Sequence, residues 1–194
     1  MKLIIGLGNP EKEYENTRHN AGFLCVDFLQ KELGFGPFAL DKKMSAEISS
    51  GMLSGEKVLC VKPTTFMNHS GTAAQALVRF YKLAPADIAV IHDDLDISSG
   101  EYKTAISSRA AGHNGVQDII ERLGTQDFFR IRLGIGRPQA EPRPEPGRPA
   151  SDTGACISTH DYVLQPFSPE ELTQLQELFP KVKMLLLDRL NTSQ

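Results

Sequence analysis

His19 stands in Thr17-Arg18-His19-Asn20-Ala21-Gly22, just ahead of an apolar helical pattern, and a carboxylate cluster, His92-Asp93-Asp94-Leu95-Asp96, follows a fully apolar strand pattern. A carboxylate that holds an imidazole in one tautomer and stabilises its cation is the usual way to make a general base near neutral pH. Two strand ends on one edge of a sheet would bring Asp93 to His19. Taken singly, His19 also suits a structural role, and Asp93, Asp94 and Asp96 also suit turn and cap chemistry. A metal reading draws on the same group: His19, His92, Asp93, Asp94, Asp96 and His113 are nitrogen and oxygen ligands by type. None stands at a ligand spacing such as H-E-x-x-H, so the expectation is a metal-free site. No G-x-S-x-G elbow marks a serine nucleophile. Cys25 and Cys60 fall in apolar patterns, as core thiols do.

The other polar candidates stand where strands end and helices begin. Gly6-Leu7-Gly8 follows the first strand pattern, but a dinucleotide fingerprint needs another glycine three places on, and that position is Glu11. The strand end is still where α/β sheets bind ligands, which makes Asn9 a candidate. Thr64 to Gly71 joins a strand to a helix. Phe66 and Met67 precede that helix instead of lying in its apolar stripe, and Asn68 offers an amide donor and acceptor there. Gly112-His113-Asn114-Gly115 opens another helix. Free backbone N–H groups at such starts can hold an anion or a carbonyl oxygen, although each also reads as an ordinary capped helix.

These residues need elements to position them. Leu3 to Gly8 reads as a buried first strand stopped by Asn9-Pro10, and Ala21 to Leu33 as a helix with Phe23, Leu24, Phe28, Leu29 and Leu33 at helical spacing, ended by Gly34. Met44–Met52 and Lys57–Lys62 flank Ser54-Gly55-Glu56 as a hairpin. The spacing of Ala73, Ala74, Leu77, Val78 and Tyr81 predicts a helix over Ser70–Tyr81. Ile88–Ile91 is a second fully apolar strand, Glu101–Ile106 a further strand, Val116–Leu123 a helix, and Phe129–Ile135 a strand with alternating arginine. A last helix runs from Ser168 to Leu190 behind the cap signal Ser168-Pro169-Glu170-Glu171, and Pro180 inside it predicts a kink or a break. Strands interleaved with helices predict one α/β domain over residues 1–194, with a central mixed sheet flanked by helices. Residues 138–158 carry Pro138, Pro142, Pro144, Pro146 and Pro149 and almost no large apolar side chain, so a disordered or loosely held insertion is expected there.

Composition narrows the class. A chain of 194 residues, 40% hydrophobic and 23% charged, has the size and balance of one globular domain with a real core. No apolar run approaches the ~20 residues of a membrane span, and Leu3-Ile4-Ile5 is too short for a signal peptide, so the cytoplasm is expected. Three cysteines, odd in number and far apart, exclude a disulfide framework. A net charge of −3 excludes a generally basic nucleic-acid binder. It leaves room for a local basic face, because Arg130, Arg132 and Arg137, and likewise Lys103 and Arg109, stand in stretches without an acid.

Taken together, Gly6–Pro10, Thr17–Gly22, Lys62–Gly71, His92–Asp96 and Gly112–Gly115 resemble the bacterial-type peptidyl-tRNA hydrolase family, over Lys2 to about Arg137 and again over Asp161–Glu171. The resemblance implies a cytoplasmic, monomeric α/β enzyme of translation, with no metal, organic cofactor, membrane or obligate protein partner. Such an enzyme hydrolyses the ester between a peptide, or an N-blocked aminoacyl group, and the 3′-terminal ribose of tRNA, and so recycles prematurely released peptidyl-tRNA. By position, the resemblance makes His19 the general base, Asp93 its orienting carboxylate, and Asn9 the residue that tells blocked from free-amine groups. It places Asn68 and Asn114 on the substrate and the attacking water, Tyr14 and Phe66 at the tRNA 3′ end, Met67 in the peptide cleft and His113 beside the site. It makes Lys103 and Arg132 a surface for tRNA phosphates, with Arg130 expected beside them. The sequence departs from the family pattern at Glu11, where glycine is usual after Asn9-Pro10. It departs again at Ser107-Ser108-Arg109-Ala110-Ala111, usually glycine-rich and here expected to be stiffer, and in its proline-rich segment and acidic charge.

Overall fold

The computed structural model describes residues 1–138 and 157–192. The N-terminal apolar run forms β1 (Lys2–Gly6), in which Leu3, Ile4 and Ile5 are at most 2% exposed. A strand apolar at successive positions is one that is covered on both faces. Accordingly β1 pairs in parallel on both sides, with β4 (Glu56–Pro63) and with β5 (Ile88–Asp94). β7 (Phe129–Gly134) continues the parallel set beside β5. The flanks are antiparallel: β2 (Ala39–Asp41) and β3 (Ala46–Leu53) beyond β4, and β6 (Tyr102–Ala105) beyond β7. The result is one mixed sheet of seven strands in the order β2-β3-β4-β1-β5-β7-β6, as the interleaved pattern predicts.

Helices cover both faces. α1 (Ala21–Glu32) and α5 (Pro169–Thr192) pack with Ile4, Cys60, Ile91, Ile131 and Leu133 on one side. α2 (Ser70–Tyr81) and α3 (Asn114–Leu123) pack with Leu3, Ile5, Val61 and Val90 on the other. Cys25 and Cys60 are free, fully buried thiols, and burial pushes both up, Cys60 to about 12, which leaves no thiolate for chemistry. Among the described residues no helix is long and apolar enough to cross a membrane.

Three features differ from the pattern-based expectation. α5 runs through Pro180 unbroken. Its apolar stripe, Leu175, Leu178, Phe179, Val182 and Leu186, stays in phase on both sides of the proline and is buried throughout. Burial of those five side chains, each worth roughly 1.5–3 kcal/mol, outweighs the ~3 kcal/mol that an internal proline costs. β2 and a short helix, α4 (Thr159–Val163), lack the length to announce themselves in sequence. The proline-rich insertion expected at 138–158 falls almost wholly outside the described residues.

Candidate active site

The chain leaves β1 at Gly6 and returns to it at the start of α1. Gly22 permits this approach: a Cβ there would collide with the carbonyl of Ile91 and the backbone of Leu7, and one at Gly6 would collide with the carbonyl of Gly22. Hydrogen bonds seal the contact, from Leu7 N–H to the Ile91 carbonyl at 2.9 Å and from Phe23 N–H to the Leu7 carbonyl at 3.2 Å. The 3-10 turn Arg18–Asn20, immediately before α1, therefore sits against the C-terminal ends of β1 and β5. That is the ligand-binding edge of an open parallel sheet.

His19 and Asp93 meet at this edge. Nδ1 of His19 lies 3.0 and 3.1 Å from the two carboxylate oxygens of Asp93, which is 3% exposed. The same Oδ1 lies 3.0 Å from Nε2 of His113. Nδ1 of His113 accepts the Val116 N–H at the start of α3, so Nε2 of that ring carries the proton and donates to Asp93. His19 likewise donates through Nδ1, which leaves the Nε2 lone pair available at the cleft. Burial opposes a charge on His19, but the charge of Asp93 and its hydrogen bond outweigh it, and the ring titrates above an ordinary imidazole. Burial alone would raise Asp93; the two imidazoles and their hydrogen bonds instead hold its carboxyl far below the usual carboxylate range. His92, fully buried, donates Nδ1–H to the Asp93 carbonyl at 2.7 Å and packs edge-on to His113. Burial first, and the His113 ring second, keep its pKa well below an ordinary imidazole, so His92 is neutral packing.

A cleft of about 650 Å³ opens over this pair, lined by Asn9, Tyr14, His19, Phe66, Met67, Asn68, Asp93, His113 and Asn114 among others. Asn9 is held by Asn20, whose amide pairs with the Asn9 backbone N–H at 2.8 Å and carbonyl at 3.0 Å. Its own Oδ1 accepts the Met67 N–H at 2.9 Å. Asn68 and Asn114 are exposed to the cleft, while Met67 is buried in its floor. At the rim Tyr14 and the half-exposed Phe66 form an edge-to-face pair, with ring centroids 6.5 Å apart. Glu11, where glycine is usual, has φ −83° and ψ 150°, extended backbone open to any residue, so this departure leaves the turn Lys12–Tyr14 intact.

Sequence candidates outside the cleft fall into two groups. Lys103 and Arg132 are cross-strand partners on the edge strand β6 and its neighbour β7, and neither lines the cleft. Nε of Arg132 donates to Asp94 at 2.7 Å, and its terminal nitrogens have no partner among the described residues. Arg130 corrects the expectation that it belongs to the same basic surface. It is 1% exposed, and its guanidinium donates inward to the carbonyls of Ser108 and Arg109. It thereby pins the loop leading to His113. In that loop Ser107 and Ala111 have φ +52° and +51°, left-handed values that glycine adopts without cost.

Sequence reasoning missed part of the wall. Leu95, Arg137, Thr159, His160, Val163 and Leu164 also line the cleft. Arg137 is paired with Asp96, and α4 is too short for periodicity to reveal. Sequence spacing does not by itself decide the metal question. One ligand atom each from His19, Asp93 and His113 lies within 4.8 Å of the others, a proximity that no sequence interval displays.

The fold and cleft define an α/β protein whose site, at the C-terminal ends of parallel strands, is built on an imidazole–carboxylate pair among side-chain amides. A sequence profile described as peptidyl-tRNA hydrolase matches residues 3–192. The chain belongs to the peptidyl-tRNA hydrolase family. It is 45% identical over 177 residues to a peptidyl-tRNA hydrolase of Brevibacillus brevis, spanning 91% of this chain and 85% of that one. It is 43% identical to one of Exiguobacterium sibiricum over 99% of this chain and 95% of the other. Among solved structures, the peptidyl-tRNA hydrolase of Acinetobacter baumannii superposes with a TM-score of 0.81 at 30% identity, covering 100% of this chain and 91% of its own. A peptidyl-tRNA hydrolase in complex with N-propanol does so with a TM-score of 0.80 at 32% identity, covering 97% of this chain and 89% of its own.

Proposed function

We propose that this protein hydrolyses the ester between a peptide, or an N-blocked aminoacyl group, and the 3′-terminal ribose of tRNA, with His19 as general base oriented by Asp93. The observation that carries the proposal is the His19–Asp93 contact at 3.0 Å on the wall of a cleft lined by asparagine amides. An ester is a good enough acyl donor for one activated water to suffice. His19 Nε2 takes a proton from water as the hydroxyl oxygen adds to the ester carbonyl. Asp93 fixes the ring and stabilises the imidazolium. The tetrahedral oxyanion accepts from the Asn68 amide, an interaction worth ~3 kcal/mol. The intermediate collapses, the ester C–O bond breaks, and the ribose oxygen recovers the proton from His19.

The cleft amides also supply specificity. Asn9 and Asn114 pair with backbone amides of the peptide, and a free aminoacyl ester leaves the buried Asn9 amide unpaired, which costs binding. Tyr14 and Phe66 provide ring faces and edges for the unstacked bases of the tRNA 3′ end. Lys103 and Arg132 take phosphates of the acceptor stem. We read the enzyme as a cytoplasmic monomer that works without metal or cofactor. The deciding experiment is release of a labelled N-acetyl-aminoacyl group from tRNA. Wild-type turnover with loss in His19→Ala supports the proposal; full activity in His19→Ala rejects the base assignment.

A further inference from the structure

Arg18 immediately precedes His19, and the proposed reaction does not use it. It is 8% exposed. Its guanidinium forks onto Glu171, with Nε and Nη2 donating to Oε1 at 3.2 and 3.0 Å and Nη2 donating to Oε2 at 2.8 Å. Nη1 donates to the Tyr162 carbonyl at 3.3 Å, and the guanidinium carbon stands 4.2 Å from the centroid of the Tyr162 ring.

Both anchors are themselves held. Glu171 Oε2 accepts the Ser168 N–H at 2.7 Å while the Glu171 N–H donates to Ser168 Oγ at 3.2 Å, a reciprocal cap at the start of α5. The Tyr162 hydroxyl donates to the Ile135 carbonyl just past β7 at 2.9 Å. Backbone contacts run alongside, from Arg18 N–H to the Gln165 carbonyl at 3.1 Å and from Phe167 N–H to the Asn16 carbonyl at 3.0 Å. One buried cation therefore ties the turn carrying His19 to α4, to α5 and to the end of β7.

The turn is fastened at Asn20 to the Asn9 backbone, and Arg18 supplies its anchor on the side of α4 and α5. It is three residues long and has no side-chain cap. An arginine fork on a carboxylate is directional, with bonds roughly twice as strong as neutral ones, and it fixes orientation as well as distance. A misplacement of about 1 Å at a reacting group can cost on the order of 10² in rate.

We infer that Arg18 is a positioning residue for His19: its fork on Glu171 and its bond to Tyr162 set where the His19 turn stands relative to Asp93. The inference rests on the reading of His19 as the base. It is tested with Arg18→Lys, which keeps the charge and loses the fork, and Glu171→Gln, which keeps the shape and weakens the fork. Each folded variant should lose kcat by about tenfold on N-acetyl-aminoacyl-tRNA and on a short N-blocked aminoacyl ester of ribose, with KM for the tRNA substrate within about twofold. The double variant should fall no further than Arg18→Lys alone, because both substitutions break one interaction. An arginine that serves only stability would lower the melting temperature and leave kcat within about twofold, which overturns the inference. If Arg18→Lys does not fold, Glu171→Gln decides by the same kcat criterion. His19→Ala runs in parallel: activity retained there rejects the base reading itself, whereas activity lost there but kept in the Arg18 and Glu171 variants rejects only the positioning role.

Discussion

The side-chain oxygen of Asn9 accepts the backbone N–H of Met67 at 2.9 Å, and that one bond decides which end of the Asn9 amide is left to the cleft. With Oδ1 engaged, the cleft is offered the Nδ2 donor. Asn9→Asp keeps the acceptor for Met67 and replaces the donor by an anion. The variant should fold with an unchanged melting temperature and lose kcat/KM by about 10², the scale of a lost hydrogen bond to a polar substrate plus a repulsive oxygen. Activity within a factor of three of wild type would remove Asn9 from substrate recognition.

On the proposed mechanism the His19–Asp93 pair sets the pH dependence. Asp93 raises the His19 pKa, and a base must be neutral to act, so kcat/KM should rise with pH and level off above that pKa. Asp93→Asn removes the charge that favours the imidazolium, so the acid limb should move to lower pH. The plateau should fall by a factor on the order of 10² or more, since base strength and orientation are both lost. His19→Ala should abolish the limb, and adding Asp93→Asn to it should change little. A further large loss in that double variant would give Asp93 an independent role.

Arg132 and Arg130 should behave oppositely. The terminal nitrogens of Arg132 have no partner among the described residues, so Arg132→Ala should raise KM for full-length substrate and flatten the slope of log K against log salt by about one. A short ester should be hydrolysed as before. Arg130→Met leaves the Ser108 and Arg109 carbonyls without their donor. It should lower stability by about 2 kcal/mol or more and harm both substrates alike. Equal damage to both substrates from Arg132→Ala would assign Arg132 a structural role instead.

Ala111 occupies a left-handed backbone conformation at φ +51° in the loop before His113. That conformation costs an L-residue roughly 1–2 kcal/mol, and glycine gives back part of the gain as unfolded-state entropy. Ala111→Gly should therefore raise stability by about 0.5–1 kcal/mol in chemical denaturation. A loss of stability would mean that the Ala111 methyl group makes a contact worth more than the strain.

Chelation separates the general-base reading from a metal-hydrolase reading built on His19, Asp93 and His113. Dialysis against EDTA should leave the rate within about a factor of two, because the proposed base acts on water directly. A tenfold loss restored by one divalent ion would favour the metal.

Much of the fold is legible without coordinates. Apolar runs at Leu3–Ile5 and Ile88–Ile91 announce strands buried on both faces, and the 3.6-residue spacing in Ser70–Tyr81 gives α2 its observed bounds. These are local properties: periodicity reports which face of an element loses water, whatever the partner is. The candidate residues are legible too, since Asn9, His19, Phe66, Asn68, Asp93 and Asn114 stand at strand ends and helix starts, and all of them line one cleft.

Tertiary structure decides which of those polar groups meet. His19 and Asp93 are 74 positions apart and touch because Gly22 and Gly6 let α1 begin against β1 and β5. The second donor to Asp93, from His113, is invisible until the start of α3 arrives beside β5. Arg130 and Arg132 make the point most sharply. Alternation along β7 puts both on the same face of the sheet. The 107–111 loop closes over the first, which becomes an internal clamp, and leaves the second partly exposed beside Lys103 and paired with Asp94. Sequence spacing fixes the direction in which a side chain leaves its own strand. Whether it then finds water, a carbonyl or a catalytic partner depends on segments that folding brings in from elsewhere, and their arrival is a property of packing that no local pattern carries.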